Sequence, residues 1–153
     1  MAELKDRLRA DLTAAMKARD ALRSSTLRLA LTAVANAEVS GKQARELSDD
    51  EVTTVLVAQA KRRREAAEAF DDAGRIEQAA KERAEAELLA DYLPQPLSDE
   101  DLVALVTATV AEVDGAGRGM SAMGQVMGRL KPQVSGRADG AAVAAEVRRQ
   151  LTG

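Results

Sequence analysis

Four cations in the C-terminal third of the chain carry the clearest chemistry. Arg118, Arg129, Lys131 and Arg137 fall within residues 115–137, a stretch that contains no acidic residue and is net +4. A guanidinium can hold a phosphate through two parallel N–H bonds, and an ammonium can do so as a point charge. The segment from Arg129 to Gly140 reads as a helix broken at Lys131-Pro132, a glycine-containing turn bearing three cations, and a new helix start. That arrangement suits phosphate contact; in the competing reading Arg137 pairs with Asp139 or caps carbonyls. The loop Gly115-Ala116-Gly117-Arg118-Gly119-Met120 could cradle a phosphate with backbone N–H groups ahead of a helix. No strand precedes it and it lacks a Gly-Lys-Ser/Thr ending, so a connector between helices is the favoured reading. A secondary basic run, Lys61-Arg62-Arg63-Arg64, is followed at four-residue spacing by Glu65 and Glu68, which predicts partial local pairing on a solvated face.

Other chemistries are removed by composition. The chain has no His, no Cys and no Trp, with one Phe and one Tyr. Without His or Cys there is no Ser-His-Asp or Cys-His catalysis, no imidazole or thiolate metal site and no disulfide. A carboxylate-only Mg²⁺ or Ca²⁺ site is chemically open, but the acids of residues 65–91 match no EF-hand spacing. No catalytic residue, metal site or cofactor is predicted. The scarcity of aromatics argues against RNA recognition by base stacking. With 22 Lys+Arg against 25 Asp+Glu, the net charge is −3, which excludes a uniformly basic nucleic-acid binder and leaves a local basic patch.

The elements that would position these residues are helices. Leu4, Leu8, Leu12 and Met16 form one stripe of an amphipathic helix. A second helix is predicted from about Arg23 to Val39, with Leu27, Leu31, Val34 and Ala35 inward. Ser48 and Glu51 make a capping box, with Leu47 and Val52 as its hydrophobic staple. The helix that follows carries Val52, Val55, Leu56, Gln59 and Phe70 and stops before Gly74. A fourth, about Arg75 to Tyr92, buries Ile76, Ala80, Leu88 and Tyr92. Ser98 and Asp101 repeat the start signal for a fifth helix with Leu102, Leu105, Val106, Thr109 and Val113. A short helix from about Ser121 to Leu130 lines one side with Met120, Met123 and Met127; core packing, with Gly124 and Gly128 allowing a close helix crossing, is favoured over an adaptable docking surface. The last helix follows Asp139, with Val143, Val147 and Leu151 inward. No segment alternates with period two, so the fold class is all-α. Pro94 and Pro96 cannot sit inside a helix and divide a long-helix N-terminal domain, 1–93, from a C-terminal bundle of short helices, 94–153. No apolar run reaches a membrane span and the first residues lack an apolar leader core, so no membrane contact and a cytoplasmic location are expected.

These residues also carry a family resemblance. Ala15-Met16-Lys17-Ala18-Arg19-Asp20 and Thr26-Leu27-Arg28-Leu29 resemble the opening of the GatB/YqeY family. Similar matches follow at Arg64-Glu65, Phe70, Ala73-Gly74-Arg75, Glu82, Glu85 and Tyr92-Leu93-Pro94. The ending, Met123-Gly124-Gln125-Val126-Met127 and Gly136-Arg137-Ala138-Asp139-Gly140, is similar too. The resemblance implies two helical parts and kinship with the C-terminal tail of the B subunit of the tRNA-dependent amidotransferase. That tail contacts tRNA, while kinase and amidase chemistry sits elsewhere in the enzyme. The family label of carbon–nitrogen ligase with glutamine as amido-N-donor is therefore not expected of this chain alone. The implied role is a tRNA-binding accessory protein, with its surface in residues 96–153 and Arg118, Arg129, Lys131 and Arg137 as candidates. DNA is not an expected partner. The alternative is a module docking a translation-related protein, such as an amidotransferase subunit or an aminoacyl-tRNA synthetase, through the N-terminal helices.

Overall fold

The computed structural model describes residues 3–153. Among them are seven α-helices and no strand: α1 Glu3–Lys17, α2 Ala21–Val39, α3 Asp49–Asp72, α4 Ile76–Ala90, α5 Asp99–Glu112, α6 Met123–Val134 and α7 Gly140–Thr152. A single 3₁₀ turn, Gly119–Ala122, precedes α6. The protein is all-α. The chain forms two compact units, one ending at Leu93 and one beginning at Pro94.

The first unit packs α1 to α4 around Leu8, Leu27, Val34, Val52, Leu56 and Leu89. Leu8 is fully buried, but Met16 is 53% exposed and Ala15 takes its place. Residues four apart drift about 40° per step, so by the fourth member the stripe has rotated off the core. α1 ends on Arg19 in the left-handed region (φ 59). Its N–H donates to Met16 O at 3.2 Å, and that of Asp20 donates to Ala15 O at 3.0 Å, the two bonds of a Schellman ending. The Asp20 carboxylate then accepts the Arg23 N–H at 3.1 Å and starts α2. In α2, Leu27, Ala30 and Val34 face inward, whereas Ala35 is exposed.

α3 opens with both halves of its capping box, Glu51 N–H to Ser48 Oγ and Ser48 N–H to Glu51 Oε1. It closes on Gly74, whose φ of 76 a side chain would strain. α4 then returns antiparallel along α3. Ala60 and Ala67 of α3, and Ala79 and Ala86 of α4, are buried at seven-residue spacing, a heptad step with small side chains. Of the predicted inner face of α4, Leu88 and Tyr92 are buried, but Ile76 is 73% exposed and Ala80 is exposed, while Ala79, Glu85 and Leu89 are buried. The face α3 offers, not hydrophobicity alone, sets the phase. At the end of this unit Tyr92 is buried; its hydroxyl donates to Asp11 at 2.5 Å, and the Arg7 guanidinium lies 4.6 Å over its ring. Burial first, then the Asp11 bond, pushes the phenol up to about 12.

The second unit has its own core of Val106, Ala122, Val126, Leu130, Val143 and Val147. Ser98 caps α5, its Oγ accepting the Asp101 N–H at 3.0 Å. α5 ends on Asp114 at φ 53, a second Schellman ending in which the Gly115 N–H reaches Val110 O at 2.8 Å. Two expectations fail on α6. The helix does not break at Lys131-Pro132; Pro132 lies inside it and the helix runs on to Val134. Buried Val126, Leu130 and Val134 recur every four residues across the proline, and that apolar ridge holds the last turn in place. Nor do Gly124 and Gly128 admit a crossing helix: a methyl group added at either would meet nothing within 4 Å. Met123 and Met127 pack against the core, but Met120 is 47% exposed.

Candidate nucleic-acid interface

α6 organises the candidate cations, and its outward arc is set by what it buries. With Val126, Leu130 and Val134 inward, Lys131, Gly124, Gly128, Pro132, Gln125, Arg129 and Gln133 follow one another around the exposed side. Gln125, Arg129 and Gln133, four residues apart, form one row about 12 Å long at the helical rise. Arg118 is tied to one end of this row: its Nη1 donates to Val113 O at 3.1 Å and to Gln125 Oε1 at 3.2 Å. Arg137 is tied to the other: Nε donates to Gln95 O at 3.1 Å and Nη1 to Gln133 O at 3.3 Å. Arg129 sits between them, its Nη1 3.6 Å from Glu112 Oε2, with both side chains more than half exposed.

The structure thus brings Arg118, Arg129 and Arg137 onto one edge of α6 and places Lys131 on the other. Gly124, Gly128 and Pro132 lie between. Lys131 is exposed and has no ion-pair or hydrogen-bond partner among the described residues. Arg137 caps carbonyls and does not pair with Asp139. The pinned arginines keep donors in reserve: Nη2 of all three, and Nε of Arg118 and Arg129, make no bond among the described residues. Each guanidinium is oriented by one part of its fork and open at the rest, so little side-chain entropy is lost when an anion binds.

The secondary run divides. Lys61, Arg62 and Arg64 are exposed, but Arg63 turns against α4, where its Nη1 lies 2.7 Å from Glu85 and 3.4 Å from Glu82. Arg63 therefore holds the α3–α4 pair together. The expected pairs of Lys61 with Glu65 and Arg64 with Glu68 do not form among the described residues. These side chains stand in solvent, where pairing gains little against the entropy of holding two long chains still. Spacing alone did not single out Gln125 and Gln133, which anchor the row. The signal was present in their four-residue step about Arg129.

A family model of Yqey-like proteins matches residues 5–151, which span both units and all of α6. The chain belongs to the Yqey-like proteins. No curated protein matches it. In this Yqey-like chain the row presents guanidinium N–H donors, the groups that pair with anions. Among the described residues no three carboxylates cluster closely enough to hold a metal ion, and no helix is long and apolar enough to cross a membrane.

Proposed function

We propose that this protein binds tRNA through the outer face of α6. One observation carries the reading: Arg118, Arg129 and Arg137 are held in a row along one edge of a helix whose other edge bears Lys131. The strip between them, Gly124, Gly128 and Pro132, lets a sugar–phosphate backbone come close to the helix. Contacts of this kind read shape and phosphate spacing and need no aromatic platform. The resemblance of this part of the chain to the amidotransferase tail points to tRNA as the nucleic acid. No catalytic step is assigned to the chain.

Fluorescence anisotropy against tRNA(Gln), tRNA(Asn) and a non-cognate tRNA, titrated with salt, tests it. Four phosphate contacts give a slope of log affinity on log salt of about −3. The Arg129/Lys131/Arg137→Ala variant should lose most of the binding. Absence of binding at low salt, or an unchanged affinity in the variant, would sink the proposal.

A docking role for the N-terminal helices is the second reading, and one observation favours it. The outward face of α2 carries Leu29 at 49% exposure, Val39 at 64%, and Thr32, Ala35 and Asn36, with Arg28 as its single charge. A pull-down from native extract should then recover an amidotransferase subunit or an aminoacyl-tRNA synthetase, and Leu29→Glu should abolish the capture. Recovery of RNA alone would count against it.

A further inference from the structure

The second unit holds a groove that shares Gly128 and Lys131 with the proposed tRNA face and extends from them over an apolar floor. It lies between α6 and the start of α7, with a volume of about 410 Å³, within the range of small-ligand sites. Its floor is aliphatic, formed by Leu130, Val134 and Val143, and Met127 makes an adaptable wall. Lys131 is the one charged residue that lines it. Gly140, the first residue of α7, lines the same mouth, and the Asp139 side chain makes no bond to that helix start. The groove therefore joins an apolar floor to one lining cation, Lys131, while the Asp139 carboxylate stands at the start of α7 beside Gly140, outside the lining.

We infer that this groove docks a short acidic–apolar segment of a partner protein, with an aliphatic side chain on the Leu130–Val143 floor and a carboxylate on Lys131. Charge and polarity together select this occupant. A cationic segment would meet Lys131 with no acid in the lining to offset it. A nucleobase would bring edge donors and acceptors into a floor with nothing to pair them, and no aromatic ring is there to stack on it. The inference does not rest on tRNA binding: the two surfaces share Gly128 and Lys131, but the apolar floor of Leu130, Val134 and Val143 belongs to the groove alone.

The test is an amide-resolved NMR titration of the full chain with three probes: N-acetyl-Leu-Leu-Asp amide, N-acetyl-Leu-Leu-Lys amide and a short oligouridylate. The acidic peptide should move the amides of Gly128, Lys131, Ser135 and Gly140 saturably and bind about fivefold tighter than the basic one, the scale of one exposed charge pair. Lys131→Glu should reverse that preference. Gly128→Leu, at an exposed helical position with open space around it, should block the mouth while the spectrum reports an intact fold. No saturable shift at these amides, equal affinity for the two peptides, or shifts with the oligonucleotide alone would overturn the inference.

Discussion

Glu51 shows how much a single side chain fixes in the first unit. Its carboxylate accepts from Arg45 Nη1 at 2.9 Å and from the Ser48 N–H at 3.2 Å, and those bonds hold it down at about 2. An unfolded chain takes up the proton near 4.5, so below that pH the unfolded state binds more protons than the folded one. The stabilisation is present in full above 4.5 and is lost as pH falls toward 2. Glu38 has the same sign: the Lys5 ammonium at 2.7 Å, then the Leu47 N–H, lowers it. Urea midpoints should therefore drop through this window, and Glu51→Gln should flatten the drop; an unchanged pH profile in the variant would refute the assignment. In the second unit the arginines separate by what they hold. Arg129→Ala breaks only an exposed pair and should leave stability within about 0.5 kcal/mol while weakening tRNA binding. Arg137→Ala removes two bonds to carbonyls and should cost about 1 kcal/mol as well as affinity. Equal stability losses in the two variants would contradict this division. Both roles of Arg137 can be read from its turn, but only the structure shows which carbonyls it reaches, because Gln95 lies far from it in sequence.

At the scale of the helix, α6 is assembled against propensity. Gly124 and Gly128 are helical, exposed and have no neighbour within 4 Å of an added methyl group. Each lowers helix stability by about 1 kcal/mol relative to alanine without enabling a contact inside the protein. Gly124→Ala and Gly128→Ala should each stabilise the second unit by about that amount, seen in the urea midpoint, and each should weaken tRNA binding if a backbone passes over this strip. A stabilised variant with full affinity would show that the strip is not approached. The helices themselves are legible in the sequence where the signal is local. Ser48–Glu51, Ser98–Asp101 and Gly74 announce their boundaries through side chains within a few residues. The ending at Asp114 is legible too, since an Asp-Gly pair marks a turn and aspartate tolerates the left-handed region; the ending at Arg19 is not, because arginine advertises no such conformation. The phase of α4 is hidden for another reason: Ile76 is exposed and Glu85 buried because α3 presents alanines and Arg63, a fact of pairing that no periodicity in α4 contains. Pro132 misleads in the same way, since its local rule yields to the ridge of Val126, Leu130 and Val134.

For the molecule as a whole, charge works at two ranges. The chain is net −3, which repels RNA, while residues 115–137 are net +4. At physiological salt, fields fade over about 8 Å, so the phosphates nearest α6 meet the local cations and little else. At about 0.01 M salt the range grows to about 30 Å, and acids distant from the site weaken binding. The unit from Pro94 to Gly153 is net −1 and closes its own apolar core, whereas residues 1–93 are net −2. At about 60 residues a domain is marginal, but its buried Val106, Val126, Leu130, Val143 and Val147 make a continuous core. The fragment 94–153 should therefore fold cooperatively alone and bind tRNA with a steeper salt slope than the full chain's, which is about −3. Its affinity should exceed that of the full chain at low salt, where the acids of residues 1–93 no longer oppose the approach, and converge with it at physiological salt. Anisotropy on both chains across the salt series measures this. A fragment that folds but does not bind would move the tRNA surface out of the second unit. A gap between the two affinities that does not change with salt would show that long-range charge plays no part.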